Sequence, residues 1–121
     1  MRKMFSALML TTIVTAAGPA QAGEGQLDKD LIRRVVRAHL PEIRTCYNEG
    51  LARKPELAGK LTVDFTVGPD GHVSGSEIQA GSTVGDATVE ACIQSTVLKW
   101  LFPKPDGGSV AVSYPFELAP G

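Results

Sequence analysis

Residues Leu61 to Val73 read LTVDFTVGPDGHV. Apolar side chains fall at Leu61, Val63, Phe65 and Val67 and polar ones between them, a period of two that a helix cannot use and a half-buried strand requires. Pro69 has the backbone angle that the second place of a tight turn wants, and Gly71 supplies the left-handed conformation of a short hairpin loop. An Asp-Gly turn also occurs in calcium loops, but no ladder of acids surrounds Asp70, so a structural turn is the reading. The return strand, HVSGSEIQAGS, is less regular: Val73 and Ile78 lie on opposite parities, and Gly75 between them implies a bulge.

A hairpin alone is not a stable core, so the flanking segments must cover it. Upstream, from Asp28 or Asp30 as cap, apolar positions recur at Ile32, Val35, Val36, His39, Leu40, Ile43, Cys46, Tyr47 and Leu51, one stripe of a long helix. Pro41 removes a backbone donor from it, which implies a kink or two helices meeting near His39 to Glu42. Gly50 falls late enough to matter little, and RKPELAG ends the helix. Downstream, with Thr83 or Asp86 as start signal, Val89, Cys92, Ile93, Thr96, Val97 and Trp100 draw a second stripe. FPKPDGG stops it. The last strand, SVAVSYPFEL, turns Val110, Val112, Tyr114, Phe116 and Leu118 inward and Ser109, Ala111, Ser113, Pro115 and Glu117 outward. Pro115 has no N–H, which places this strand at a sheet edge over at least that half.

The order helix, strand, strand, helix, strand predicts an α+β domain with two helices on one face of a three-stranded antiparallel sheet. The connection rules favour the third strand beside the first, with the second and third at the edges. An open edge is either blunted or used to receive another strand.

The first 22 residues carry Arg2 and Lys3, an apolar run from Met4 to about Ala17, and Ala20-Gln21-Ala22 before the expected cut, the pattern of a signal peptide. That run of roughly 14 residues falls short of the ~20 a spanning helix needs. Residues 1–22 are thus read as a leader, 23–27 as a patternless and frayed start, and 28–121 as one domain. Its removal takes two basic residues and no acids, so the formal charge of −1 for the 121 residues becomes −3 for 99. A mildly acidic domain lacks the footprint for phosphate backbones, which excludes nucleic acid as partner. Basic residues cluster in RRVVR, but Asp28, Asp30, Glu42 and Glu49 share the helix, and a solvated face is the reading.

Cys46 and Cys92 are the two cysteines of the chain. In an exported protein they are expected to form a disulfide, worth about 4 kcal/mol in the chain-entropy account of a 46-residue loop. A shared metal would need further ligands at close spacing, and His39 and His72 sit in different elements. No Cys-x-x-Cys pair is present for redox catalysis. His39 lies on the apolar stripe, His72 follows the turn, and Ser74, Ser76 and Ser82 lack a nucleophile-elbow context. The chain is therefore read as non-catalytic, with no cofactor, metal or small-molecule substrate; a small envelope enzyme is the unfavoured alternative. Trp100 is expected as a core plug with its N–H at the rim.

GKLTVDFTVGPDGHV, then a helix ending in KWLFPKP, then VAVSYPFEL, together with LIRRVVRAHLPEIRTCYNEGL and VEACI, resemble the C-terminal domain of TonB and its relatives. The similarity is greatest to the AgmX/PglI C-terminal domain of myxobacterial gliding-motility proteins. The resemblance covers nearly all of the chain after the leader. It implies a periplasmic (or secreted) two-helix, three-strand module that contacts proteins and is not an enzyme. TonB proper has an inner-membrane anchor and a proline-rich rod; here a cleavable leader runs almost directly into the domain, with no stable membrane anchor. A role as a TonB-type accessory in energy-coupled outer-membrane transport is the second alternative. The family's strand addition maps onto Val110, Ala111, Val112, Ser113, Tyr114, Pro115, Phe116 and Glu117, where an envelope protein or a second copy of the chain would pair.

Overall fold

A computed structural model of the chain describes residues 25–120. The leader read over residues 1–22 lies outside the described residues. The elements are α1 (Lys29–Arg53), β1 (Gly59–Val67), β2 (Val73–Ile78), α2 (Ala87–Val97) and β3 (Val110–Leu118). They form an α+β fold with an open antiparallel sheet of order β2-β1-β3, so the first strand is central and the crossover through α2 brings the third beside it.

The hairpin closes as its residues dictate. Gly71 donates to the Gly68 carbonyl at 2.8 Å and Gly68 to that of His72 at 2.7 Å. Gly71 takes φ of 91°, the left-handed region that a residue without Cβ enters freely. On β1, Leu61, Val63, Phe65 and Val67 are buried at 2% exposure or less, each contributing about 1.5–3 kcal/mol relative to solvent. The β1–β2 register slips between Thr66 and Val67, which face Gly75 and Val73 and leave Ser74 as the extra residue. This bulge resolves the parity conflict of β2: Val73, Ser76 and Ile78 all come to lie opposite core residues of β1.

Both helices cover that face. Asp28 caps α1, its carboxylate accepting from Asp30 N at 2.7 Å, and the helix runs unbroken through Pro41. Asp86 caps α2 by accepting from the amides of Thr88 and Val89. The Arg53 guanidinium beside this buried carboxylate, 3.0 Å away, and the capped amides hold its pKa below the usual aspartate range. Gly50, read from sequence as incidental, is buried where α1 meets α2, and a Cβ there would run into the side chains of Val89 and Leu57. Close helix approach is the reason it is glycine.

The second helix ends at Val97, and Trp100 enters the core one turn later, after the 3.1 Å bond from its own amide to Val97 O. Its indole is 1% exposed, meets Phe65 edge-on and stacks on His39 with ring centroids 4.9 Å apart. The start expected to fray over 23–27 is tied down where it is described. Gly25 donates to Ser109 O at 2.8 Å, and Gln26 exchanges two backbone bonds with Asp106.

Candidate functional site

The sheet has two outer edges, and the direction of each backbone group along them can be derived. On β1, Thr62 O accepts from Gln79 N and Lys60 O from Thr83 N, both on the β2 side. Because successive residues of a strand point their polar groups to opposite sides, Leu61, Val63 and Phe65 turn theirs toward β3. Their partners there are Phe116, Tyr114 and Val112. The N–H and C=O groups of Ala111, Ser113 and Glu117 therefore point away from the sheet, as does the carbonyl of Pro115. Pro115 stands opposite Thr62, so its missing N–H costs no ladder bond, which is why proline is tolerated there.

None of the backbone bonds made outside helices and strands by the described residues reaches Ala111, Ser113, Pro115 or Glu117. The N-terminal segment bonds as far as Ser109, one residue before β3 begins. The edge offers two consecutive donor-and-acceptor positions, Ala111 and Ser113, and then a proline that accepts only.

A groove of about 380 Å³ lies along this edge, between the first turns of α1 and Val110 to Pro115. Leu27, Ile32, Val112 and Tyr114 give it an apolar floor, and Lys29 and Arg33 stand on its helical wall. Inward parity holds along all of β3, but its burial changes half-way. Phe116 and Leu118 are buried, whereas Val110, Val112 and Tyr114 are only half-covered, and Ala111, Ser113, Pro115 and Glu117 are exposed. The half of the strand that holds the two consecutive donor-and-acceptor positions, Ala111 and Ser113, is also the half whose inner side chains lack a full cover.

No family profile and no curated protein matches the chain. Among solved structures it is similar to the NMR solution structure of the Helicobacter pylori TonB C-terminal domain. The two share 22% identity over 88% of this chain and 98% of that one, with a TM-score of 0.47.

Other sequence candidates lie apart from the edge. The sulfurs of Cys46 and Cys92 stand at disulfide distance, Cα atoms 5.7 Å apart, and join α1 to α2. His39, Glu42 and Trp100 form one cluster beside them: Glu42 accepts from Trp100 Nε1 at 2.9 Å, and its other oxygen lies 2.7 Å from His39 Nδ1. The bond to His39, reinforced by that from Trp100, lowers the Glu42 pKa. The imidazole is thus held by stacking and by a carboxylate. His72 sits on the exposed turn, 3.2 Å from Asp70. Among the described residues no group of three or more His, Cys, Asp or Glu could hold a metal ion. No helix among them is long and apolar enough to cross a membrane.

Sequence reasoning located the edge strand through Pro115 and missed the groove beside it. The signal was present in the helical spacing of Lys29, Ile32 and Arg33, but only the register of α1 against β3 turns that spacing into a wall.

Proposed function

We propose that this chain is an exported, non-catalytic periplasmic module that binds an extended segment of an envelope protein by adding it to β3. The carrying observation is the coincidence of open backbone groups at Ala111 and Ser113 with a groove whose floor is half-covered apolar side chains. Main-chain bonds would supply attachment, and side chains at alternate positions would select the partner. Export is supported by the leader pattern of residues 1–22 and by a cysteine pair at disulfide distance, a bond that persists in oxidising compartments. The resemblance of its segments to the AgmX/PglI C-terminal domain favours an envelope or gliding-motility assembly as the setting.

A second copy is the less fitting occupant. The side chains that a second β3 would turn toward α1 are Val110, Val112 and Tyr114, which offer nothing to Lys29 and Arg33 and would bring two basic helices side by side.

The test is a proline at an outward position. Ser113→Pro removes an edge donor and leaves the β1 ladder whole, so the variant should fold as wild type by circular dichroism. It should fail to retain envelope proteins that the wild-type mature chain captures. In the wild-type complex the amides of Ala111 and Ser113 should gain protection from hydrogen exchange. Capture by Ser113→Pro equal to wild type would overturn the assignment.

A further inference from the structure

The wall of the groove carries a charge pattern that says what its occupant must bring. From Lys29 to Arg44, α1 runs along β3 in the same direction: Lys29, Ile32 and Arg33 border Val110 to Pro115, and Leu40, Ile43 and Arg44 border Phe116 to Ala119. A helix advances 100° per residue, so Lys29, Arg33, Arg37, Leu40 and Arg44 fall within one flank about 80° wide, the flank beside the free edge. All four basic residues are exposed. Among the described residues no acid lines the groove. Among the described residues, Asp30 pairs with Arg33 at 3.0 Å in an exposed contact of the kind that contributes little, and Glu117 faces Lys60 at 3.9 Å on the other side of the sheet. Of the four acids that the sequence reading set against these cations, Asp28 caps the helix and Asp30 makes that exposed pair, while Glu42 and Glu49 lie on the opposite flank, with His39 and Cys92. A domain of net negative charge thus keeps a basic stripe for one edge.

The spacing is also specific. Residues four apart on a helix are about 6 Å apart along its axis, and alternate residues of a strand are about 6.6–6.8 Å apart. A strand added to β3 would direct every second side chain, those opposite Val110, Val112 and Tyr114, toward α1. We propose that the natural occupant of the β3 edge is an extended peptide segment with carboxylates at alternate positions, matched to Lys29, Arg33 and Arg37. This rests on the strand-addition reading above and deepens it. Charge complementarity gives the choice among occupants: a second copy presents apolar residues on that face, and a neutral strand leaves the stripe without counter-charge.

The experiment titrates the ¹⁵N-labelled mature chain with blocked eight-residue peptides of alternating glutamate and threonine, or alternating glutamine and threonine. Amide shifts at Ala111 and Ser113 report the edge. The glutamate peptide should bind about 10-fold more tightly at low salt, with the gap narrowing as salt is raised. The double variant Arg33→Glu, Arg37→Glu should remove the preference. Arg34→Glu, on the solvent side of the same helix, should keep it, which separates the stripe from net charge.

Equal affinity for both peptides, with edge shifts present, would overturn the acidic proposal and leave the strand-addition reading standing. Absence of shifts at Ala111 and Ser113 with either peptide would overturn both. Two other results would reassign the stripe and overturn the proposal. One is co-sedimentation with phosphatidylglycerol vesicles that blocks the peptide and needs Arg33 and Arg37; the other is a dimer in sedimentation equilibrium that the glutamate peptide does not dissociate.

Discussion

The two edges of this sheet flank the same central strand and end in opposite conditions. The β2 edge has six residues and a bulge at Ser74, and its outward carbonyl at Ser76 is taken by Gln94 Nε2 of α2 at 2.7 Å. The β3 edge has nine residues in unbroken register, and a side chain reaches none of its outward backbone groups among the described residues. Short length, a bulge and a covering helix are the means by which proteins close an edge against unwanted pairing. All three are found on one side here. On the other, a single proline limits the length of any added ladder without preventing it. The difference indicates that an open β3 edge is not an accident of a small sheet, since the same chain closes its other edge.

The largest effect should come from cutting the link between the helix that walls the open edge and the helix that seals the closed one. Replacing both Cys46 and Cys92 by alanine should cost up to about 4 kcal/mol in urea unfolding, the chain-entropy value for this loop. If the two edges are independent, the peptide affinity of the variant at low temperature should be unchanged while its stability falls. Next comes a pair of prolines one residue apart. Val112 points its N–H to Phe65 within the ladder, so Val112→Pro should cost about 3 kcal/mol or more, the scale of a proline inside regular structure. Ser113→Pro should cost no more than about 1 kcal/mol, the exposed bond from Ser113 Oγ to Asp64, since its backbone change repeats what Pro115 already does. Equal losses would mean that the assigned direction of the edge groups is wrong.

Much of this was legible from spacing. The alternation of β1, the turn at Pro69 and Gly71, both apolar helical stripes and the edge position implied by Pro115 each express a local rule, and the local rules agree. What stayed hidden depended on how elements lie against one another. Gly50 looked incidental because its reason is the side chains of Val89 and Leu57, 39 and 7 residues away. RRVVR looked like a neutralised face because acids occur on the same helix; its flanks separate them only once β3 and α2 are placed on either side. The irregular β2 was recognised as bulged, but the consequence, Ser76 turned inward opposite Phe65, needed the register.

That inward turn gives a prediction of opposite signs on the closed edge. Ser76 Oγ is buried without a hydrogen-bond partner, so Ser76→Ala should stabilise the fold by about 1 kcal/mol, the desolvation relieved when a hydroxyl is removed from such a site. Gln94→Ala should destabilise it by about 1 kcal/mol and expose the Ser76 carbonyl. The Gln94 variant should also begin to self-associate at high concentration if the seal matters for solubility. A monomer at all concentrations would show that the bulge alone closes this edge.

The smallest effect is expected from pH, and it too separates the two sides. Asp86 fixes α2, the cover of β2, through its cap and Arg53, and its folded pKa lies below the value it has in the unfolded chain. The unfolded state therefore binds a proton first as pH falls, so the contribution of Asp86 is complete above the ordinary aspartate range and is lost as pH drops through the lower folded value. Glu42, lowered by His39 and Trp100, acts with the same sign at the start of the crossing between α1 and the segment after α2. Among the described residues the carboxylate that reaches β3, Asp64 accepting from Ser113 Oγ at 2.6 Å, does so on the exposed face of the sheet and caps no element. Below about pH 4, near the ordinary carboxylate range, amides of α2 should lose hydrogen-exchange protection before the ladder amides of Val112 and Tyr114 do. Asp86→Asn should flatten that acid limb and leave β3 protection as it was. Loss of both regions at one pH, in wild type and variant alike, would show that the sheet and its cover open as a single unit.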